Sequence, residues 1–302
     1  MSETVNTSNP AIGFIGLGIL GKGLSIALAQ TGHRVAGVYS RTQASAEWAA
    51  ERIEECQVFS QVQALCDQMD LVFVTTPDGV IGQVASEISW RPGQGVVHCC
   101  GAASEELLEP AARQGAVTGA FHPCQTFACL DDPGEAVDRL QGVTFAVAGN
   151  GWVPGYLRGL AGALGGNAIT VPDGQRPLYH AASIMACGHL VALLRGAVRL
   201  WEGMGFTQEE AVRALYPLCR STLDNVAGHG VVAAATGPAI RGDAATIESH
   251  LKALSAGFND LIPAYAALAR DSLPIAKARG LTETQIDEMN DILEGFDRAE
   301  RS

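Results

Sequence analysis

The sequence predicts an α/β protein: a doubly wound parallel sheet followed by an all-α C-terminal domain built round a long buried helix. Three observations lead there. Short apolar runs alternate with helical patterns from Ile12 to Val171, the rhythm of βα units feeding one parallel sheet. A glycine-rich turn joins the first run to the first helix. From Asp173 onward no strand-like run remains. The expected organisation is a polar tail over 1–10, a sheet domain over 11–172 and a helical domain over 173–302.

The first unit reads as strand (Ile12 to Ile15), glycine turn (Gly16-Leu17-Gly18-Ile19-Leu20-Gly21), helix with Leu24, Ile26, Ala27 and Leu28, and strand again from Val35 to Tyr39. That is one βαβ unit of the dinucleotide-binding kind. Gly16 makes the tight turn, Gly18 lets the backbone approach a pyrophosphate, and Gly21 lets the helix pack close to the strand. Ile19 and Leu20 open the helix, where free N–H groups and the positive dipole end favour phosphate. At the end of the second strand an NAD site would place an acid for the ribose 2′-hydroxyl. This chain has Ser40-Arg41-Thr42 and no acid until Glu47. An arginine there can stack on adenine and pair with a 2′-phosphate, and the hydroxyls can donate to it. The expected cofactor is NADP(H).

Further strands are expected near Gln57 to Phe59, and at Leu71 to Thr75, Gly95 to Cys99, Ala116 to Phe121, Val143 to Ala148 and Ala168 to Val171. Leu71-Val-Phe-Val is apolar without alternation, as a parallel strand buried on both faces must be. Its end delivers Thr75, Thr76 and Pro77 to the ligand edge of the sheet. Beyond the sheet, Pro177 fits a first helical position, and one helix is expected from there to Gly203. Its first half (Leu178, Ala181, Ala182, Ile184, Met185, Ala186, Leu190, Val191, Leu193) is apolar nearly all round, which predicts burial on every side. Helices follow at Gln208 to Leu223, Asp243 to Ala256, Asn259 to Asp271 and Thr282 to Arg298. A buried helix of this kind predicts a homodimer formed through the helical part.

Acids outnumber bases, 32 to 20, for a formal net charge of −12. Nucleic acid is not an expected partner, because phosphate contacts need a basic face. The opening MSETVNTSNP lacks the regions of a signal peptide. The apolar run from Ala181 to Leu194 is short for a bilayer and contains His189, so no membrane is expected and a cytoplasmic location is. The eight cysteines include no CxxC pair. His98, Cys99, Cys100, His122 and Cys124 lack a ligand spacing, and no metal is expected.

The motifs GFIGLGILG, TTPD, HCCGA, FHPCQTFA, LYHAAS, TGPAIRGD and IESHLKAL stand in the order found in a known family. From Ile12 to Ala276 the chain resembles the bacterial NADP-binding oxidoreductases in which a Rossmann-like domain precedes the domain of unknown function 2520. That family is distantly similar to pyrroline-carboxylate reductases, ketopantoate reductases and β-hydroxyacid dehydrogenases. The resemblance implies the architecture and an NADP(H) cofactor more than it implies a reaction. Two positions depart from the family. Cys100 stands where HCSGA has serine, and Gly188, followed by His189, stands where the long helix carries asparagine. Ile184 occupies the place of the general-acid lysine of β-hydroxyacid dehydrogenases, which excludes a lysine mechanism in that alignment. Substrate binding then shifts onto His189 and Cys187, or the substrate differs.

Hydride transfer needs one further group to move a proton at the substrate heteroatom. Histidine suits that task near neutral pH. His122 ends a strand at the ligand edge and His180 opens the long helix; these are the catalytic candidates, with His180 the expected proton donor. His250 is a third histidine in the motifs. Each could equally be satisfied by a backbone carbonyl. Tyr179, Cys100, His189 and Arg241 are the substrate-binding candidates, Arg241 for a carboxylate. Asp243 reads as a helix N-cap. The expected reaction is NADPH-dependent reduction of a small 2-oxo acid, ketopantoate-like as the first guess. The alternatives are an imine reductase of the pyrroline-carboxylate kind and an NADP-binding regulatory or scaffold protein without turnover.

Overall fold

The computed structural model describes residues 5–130, 132–172 and 174–299. The first four residues of the expected tail and Asp173, at the expected domain junction, lie outside the described residues. Eight strands form one sheet in the order β3-β2-β1-β4-β5-β6-β7-β8. They are β1 (Ile12–Ile15), β2 (Val35–Tyr39), β3 (Gln57–Val58), β4 (Leu71–Val74), β5 (Gly95–His98), β6 (Val117–Pro123), β7 (Thr144–Gly149) and β8 (Asn167–Thr170). Between them run α1 (Ile19–Gln30), α2 (Gln43–Ala50), α3 (Val62–Gln68), α4 (Ile81–Glu87), α5 (Glu109–Ala112), α6 (Glu135–Leu140) and α7 (Val153–Ala163).

The sheet is not wholly parallel. β1 to β6 are, but β7 pairs antiparallel with β6, placing Ala146 opposite His122, and β8 follows β7 in parallel. Apolar strands buried on both faces read the same in either direction, so their composition carries no sign of it. α6 had no predicted counterpart; it packs on α1, where Gly23 gives the room that a Cβ would take from Ala136. Phe14 stacks on Phe73 at 5.0 Å and Phe121 on Phe145 at 4.3 Å, so aromatic pairs run through the interior from β1 to β7. β1, β4 and β5 are buried at every residue.

The contacts divide the chain after Gly188, not at 172/173. α8 (Arg176–Ala186) therefore stays with the sheet, and α9 (Gly188–Gly203) begins the helical unit. The single helix expected from Pro177 to Gly203 is thus two, parted at Cys187, whose backbone (φ −120°, ψ −79°) leaves the helical region. The glycine that follows it supplies no side chain to hold a helical turn together. The expected burial on all sides is also corrected. Leu178 and Met185 are each 68 % exposed and Val191 65 %, and α9 has no buried residue. By length and composition alone, Arg176–Gly203 would suffice to cross a membrane, although the break at Cys187 interrupts it.

The helical unit continues with α10 (Gln208–His229), α11 (Val231–Ala234), α12 (Pro238–Arg241), α13 (Ala244–Ser255), α14 (Ile262–Ala278) and α15 (Glu283–Ala299). Its core gathers Ile247, Leu251, Leu254, Ile262, Leu273 and Met289 from α13, α14 and α15.

Candidate cofactor cleft and reaction site

The strand order reverses between β1 and β4, and a crevice forms where their carboxyl ends part. A cleft of about 640 Å³ lies there. All eleven residues assigned to the cofactor line it: Gly16, Gly18, Ile19, Leu20, Gly21, Ser40, Arg41, Thr42, Thr75, Thr76 and Pro77. Gly16 has φ +95°, a conformation that favours glycine. A Cβ on Gly21 would collide with the Gly16 carbonyl and the Thr75 hydroxyl. Thr75 Oγ1 donates to Gly16 O at 2.5 Å and so fixes the turn. A Cβ on Gly18 would meet nothing within 4 Å, because that side of the backbone faces the cleft. Thr76 Oγ1 is buried without a hydrogen-bond partner. The N-caps of α1 and α2, Gly18 and Thr42, make no side-chain cap bond. Open helix ends, a cradle cleared of side chains and an orphaned hydroxyl fit a dinucleotide with a 2′-phosphate against Ser40, Arg41 and Thr42.

Neighbouring strand ends carry a second group of side chains. His122 Nδ1 lies 2.8 Å from the Tyr179 hydroxyl. The rings of His122 and His180 meet edge to face, with centroids 6.2 Å apart. Gly101 is pressed against both, since a Cβ there would strike His122 Nε2 and His180 Cδ2. Tyr179 and His180 are adjacent on α8, so one turn of helix brings both over the end of β6. The sequence candidates His122, Tyr179, His180 and Cys100 thus come together inside the first unit.

Burial takes His122 down to about 4, reinforced by the Arg176 charge and by His180, with Asp78 acting the other way. It is a neutral imidazole at pH 7. His98 is fully buried and also brought down to about 4 by burial. Its Nδ1 accepts from the Cys100 N–H at 3.1 Å, so its Nε2 carries the proton and donates to Ser104 O at 2.9 Å. It clamps the 98–104 turn and serves structure. Burial pushes Tyr179 up to about 12. Burial also raises the Cys100 thiol, the neighbouring Asp78 adding to the rise and the Ala103 and Ala102 backbone opposing it.

The other two substrate candidates belong to the helical unit. Arg241 ends α12 and His189 lies in α9, and both are exposed. Asp243 is the N-cap of α13, accepting from Thr246 N at 3.1 Å and Thr246 Oγ1 at 2.7 Å. His250 is satisfied by the Tyr265 hydroxyl at 2.8 Å. The sequence reading missed Arg176, which stands behind the His122 cluster at 4 % exposure. A lone arginine directly before the proline of an apolar helix was the available signal.

The fold has close counterparts among solved structures. A Bacteroides fragilis protein classed as an NADP oxidoreductase aligns at 24% identity and TM-score 0.68, over 89% of this chain and all of its own. The reductive aminase of Aspergillus terreus, solved with NADPH and ethyl levulinate, aligns at 16% identity and TM-score 0.59, over 97% and 94%. The 1-pyrroline-5-carboxylate reductase of Streptococcus pyogenes aligns at 15% identity and TM-score 0.56, over 95% and 98%. At these identities the likeness is one of fold. No curated protein matches the sequence. The Rossmann-like domain family matches residues 1–123, and the domain of unknown function 2520 matches residues 143–272. The chain is a Rossmann-like domain followed by a domain of unknown function 2520.

Proposed function

We propose that the protein is an NADPH-dependent reductase of a small carbonyl compound, with 2-oxo acids as the first substrate class. The observation that carries this reading is the cleft at the β1/β4 crevice. It joins a cleared glycine turn, the orphaned Thr76 hydroxyl and the Ser40-Arg41-Thr42 end of β2. NADPH, when bound, supplies the hydride. Gly18 and the open end of α1 take the pyrophosphate, and Arg41 pairs with the 2′-phosphate. The ends of β5 and β6 lie one and two strands beyond β4, which sets Cys100 and His122 on the nicotinamide side of the sheet edge. His122 is neutral there, so the proton comes from Tyr179 or His180.

The imine reading has its own support. Two of the fold's counterparts are named for C=N chemistry, a reductive aminase and a pyrroline-carboxylate reductase. A basic nitrogen brings its own proton, which suits a site whose best-placed imidazole is neutral. NADPH oxidation measured at 340 nm with a panel of 2-oxo acids and cyclic imines separates the two. Turnover of oxo acids supports the lead, and turnover of imines alone replaces it. Cofactor binding with no turnover of either class leaves the non-enzymatic reading.

A homodimer belongs to the same proposal. On α9 and α10 the apolar side chains of Val191, Val212, Leu218 and Leu223 are half or more exposed, and a second copy would cover them. Light scattering that shows a monomer at micromolar concentration would remove it.

A further inference from the structure

Arg176 is the first residue of α8 and only 4 % exposed. Its Nη1 donates to Cys100 O at 3.4 Å and its Nη2 to Ala146 O at 3.3 Å. Its Nε is buried with no acceptor. Among the described residues no carboxylate pairs with it, Glu105 acting only through its field. A buried guanidinium held by two long bonds to neutral carbonyls is a costly arrangement for stability alone. The two carbonyls flank His122: Cys100 follows the neighbouring strand, and Ala146 is the cross-strand partner of His122 itself. Tyr179 and His180 lie three and four residues on, along the same face of the helix.

We propose that Arg176 is the positioning residue for proton delivery from Tyr179. Its guanidinium fastens α8 to both flanks of His122 and leaves an uncompensated positive charge behind the Tyr179–His122 pair. This rests on the carbonyl-reductase reading. The substrate carbon gains the hydride with its two electrons. The carbonyl oxygen takes the Tyr179 hydroxyl proton, so the phenolic O–H bond breaks as the O–H bond of the alcohol forms. The phenolate left behind accepts a hydrogen bond from His122 Nδ1–H and is stabilised by Arg176, and water returns the proton. His122 Nε2 faces Gly101, with no hydrogen-bond partner among the described residues, while Nδ1 faces the phenol.

The sign of the field is right for both partners. A fixed cation disfavours imidazolium and favours phenolate, so it works against proton retention at either site. Burial is the first cause of the low position of His122, and Arg176 the next. On Tyr179, burial is the first cause of the rise and Cys124 adds to it, while Ser183 and then Arg176 act the other way. The charged and titratable groups facing His122 are Arg176, Tyr179 and His180 from α8, His98 from β5 and Asp78 after β4. Asp78 alone pulls the other way on His122.

The test is ¹⁵N NMR of histidine-labelled protein, read across pH. In the wild type, His122 should be neutral to below pH 5 and protonated on Nδ1. In Arg176→Gln its titration should rise toward 6.5, because a like charge that disfavours imidazolium is gone, while Arg176→Lys keeps it low. His33, which pairs with Tyr156 elsewhere in the unit, should be unmoved. An unchanged His122 titration in a folded Arg176→Gln overturns the proposal. So does an Nε2-protonated His122 in the wild type. If Arg176→Gln does not fold, a folded Arg176→Lys in which His122 titrates near its ordinary 6.5 also overturns it. None of these readouts needs turnover. A protein that reduces no panel substrate while showing the expected titrations would sink the reductase reading and leave the placement of charge intact.

Discussion

β4 and α9 are both apolar segments, and the fold treats them in opposite ways. Leu71-Val-Phe-Val is buried at every position, between the strands beside it and the helices of its own unit. α9, with Leu190, Val191, Leu193 and Leu194, has no buried residue at all. A doubly wound sheet supplies its own cover, because each crossover lays a helix on a face. A helix in an all-α unit has no such guarantee. Apolar composition therefore forecasts burial only where the topology provides the second surface.

The largest test of that contrast sets a buried residue against an exposed one. Phe73, stacked on Phe14, should cost about 3–5 kcal/mol when changed to alanine, the usual range for a buried aromatic. Val191→Ala should cost less than about 0.5 kcal/mol if its face meets only water. A Val191→Ala loss that is larger and grows with protein concentration would show the face covered by a second copy. Urea unfolding at two concentrations reads both.

Acid should strike the sheet unit next. His98 and His122 titrate at about 4 in the folded protein against 6.5 otherwise. Above pH 6.5 both states are neutral there, and the stability is fully present. As pH falls from 6.5 to 4, the unfolded chain binds protons that the folded chain refuses. Stability should fall by up to about 1.4 kcal/mol per pH unit for each histidine. His122→Gln, which removes the titrating ring and keeps a polar side chain, should flatten part of that slope. Unfolding midpoints that do not differ between pH 7 and pH 5 would contradict the burial of both imidazoles.

Within the same unit, Arg41→Ala should weaken NADPH far more than NADH, by about 1.5–3 kcal/mol, the worth of a hydrogen bond to a charged group. Equal weakening of both cofactors, measured by fluorescence titration, would reduce Arg41 to an adenine-stacking residue.

What could be read without the structure follows the same division. Gly16, Gly18 and Gly21 were legible because a glycine turn between a strand and a helix has few other uses, and all eleven cofactor residues meet in one cleft. Asp243 was legible as a cap because capping is local. The direction of β7 was not, since doubly buried strands carry no directional pattern. Neither was the role of Arg176, whose two acceptors are 76 and 30 residues away in sequence. The break at Cys187 left only Gly188 as a trace, read there as a departure at a binding position and not as a backbone signal. The exposure of α9 was not legible either, because an apolar helical pattern does not say whether a second surface will lie against it.

The smallest expected effects compare two threonines at helix starts. Thr207 closes a full capping box on α10: its hydroxyl accepts from Glu210 N at 3.2 Å, and Glu210 Oε2 accepts from Thr207 N at 2.8 Å. Thr42 stands at the same place on α2 and makes no cap bond. Thr207→Ala should therefore lower stability by about 0.5–2 kcal/mol, the usual loss for a cap. It should leave cofactor affinity alone. Thr42→Ala removes no native hydrogen bond at the cap and should change stability by less than about 0.5 kcal/mol. Its effect should appear in binding, as weaker NADPH with NADH nearly unchanged, because the free hydroxyl and the free end of α2 lie where the 2′-phosphate is expected. If Thr42→Ala instead destabilises the protein and leaves NADPH affinity intact, its hydroxyl is a structural cap and the 2′-phosphate lies elsewhere along the cleft.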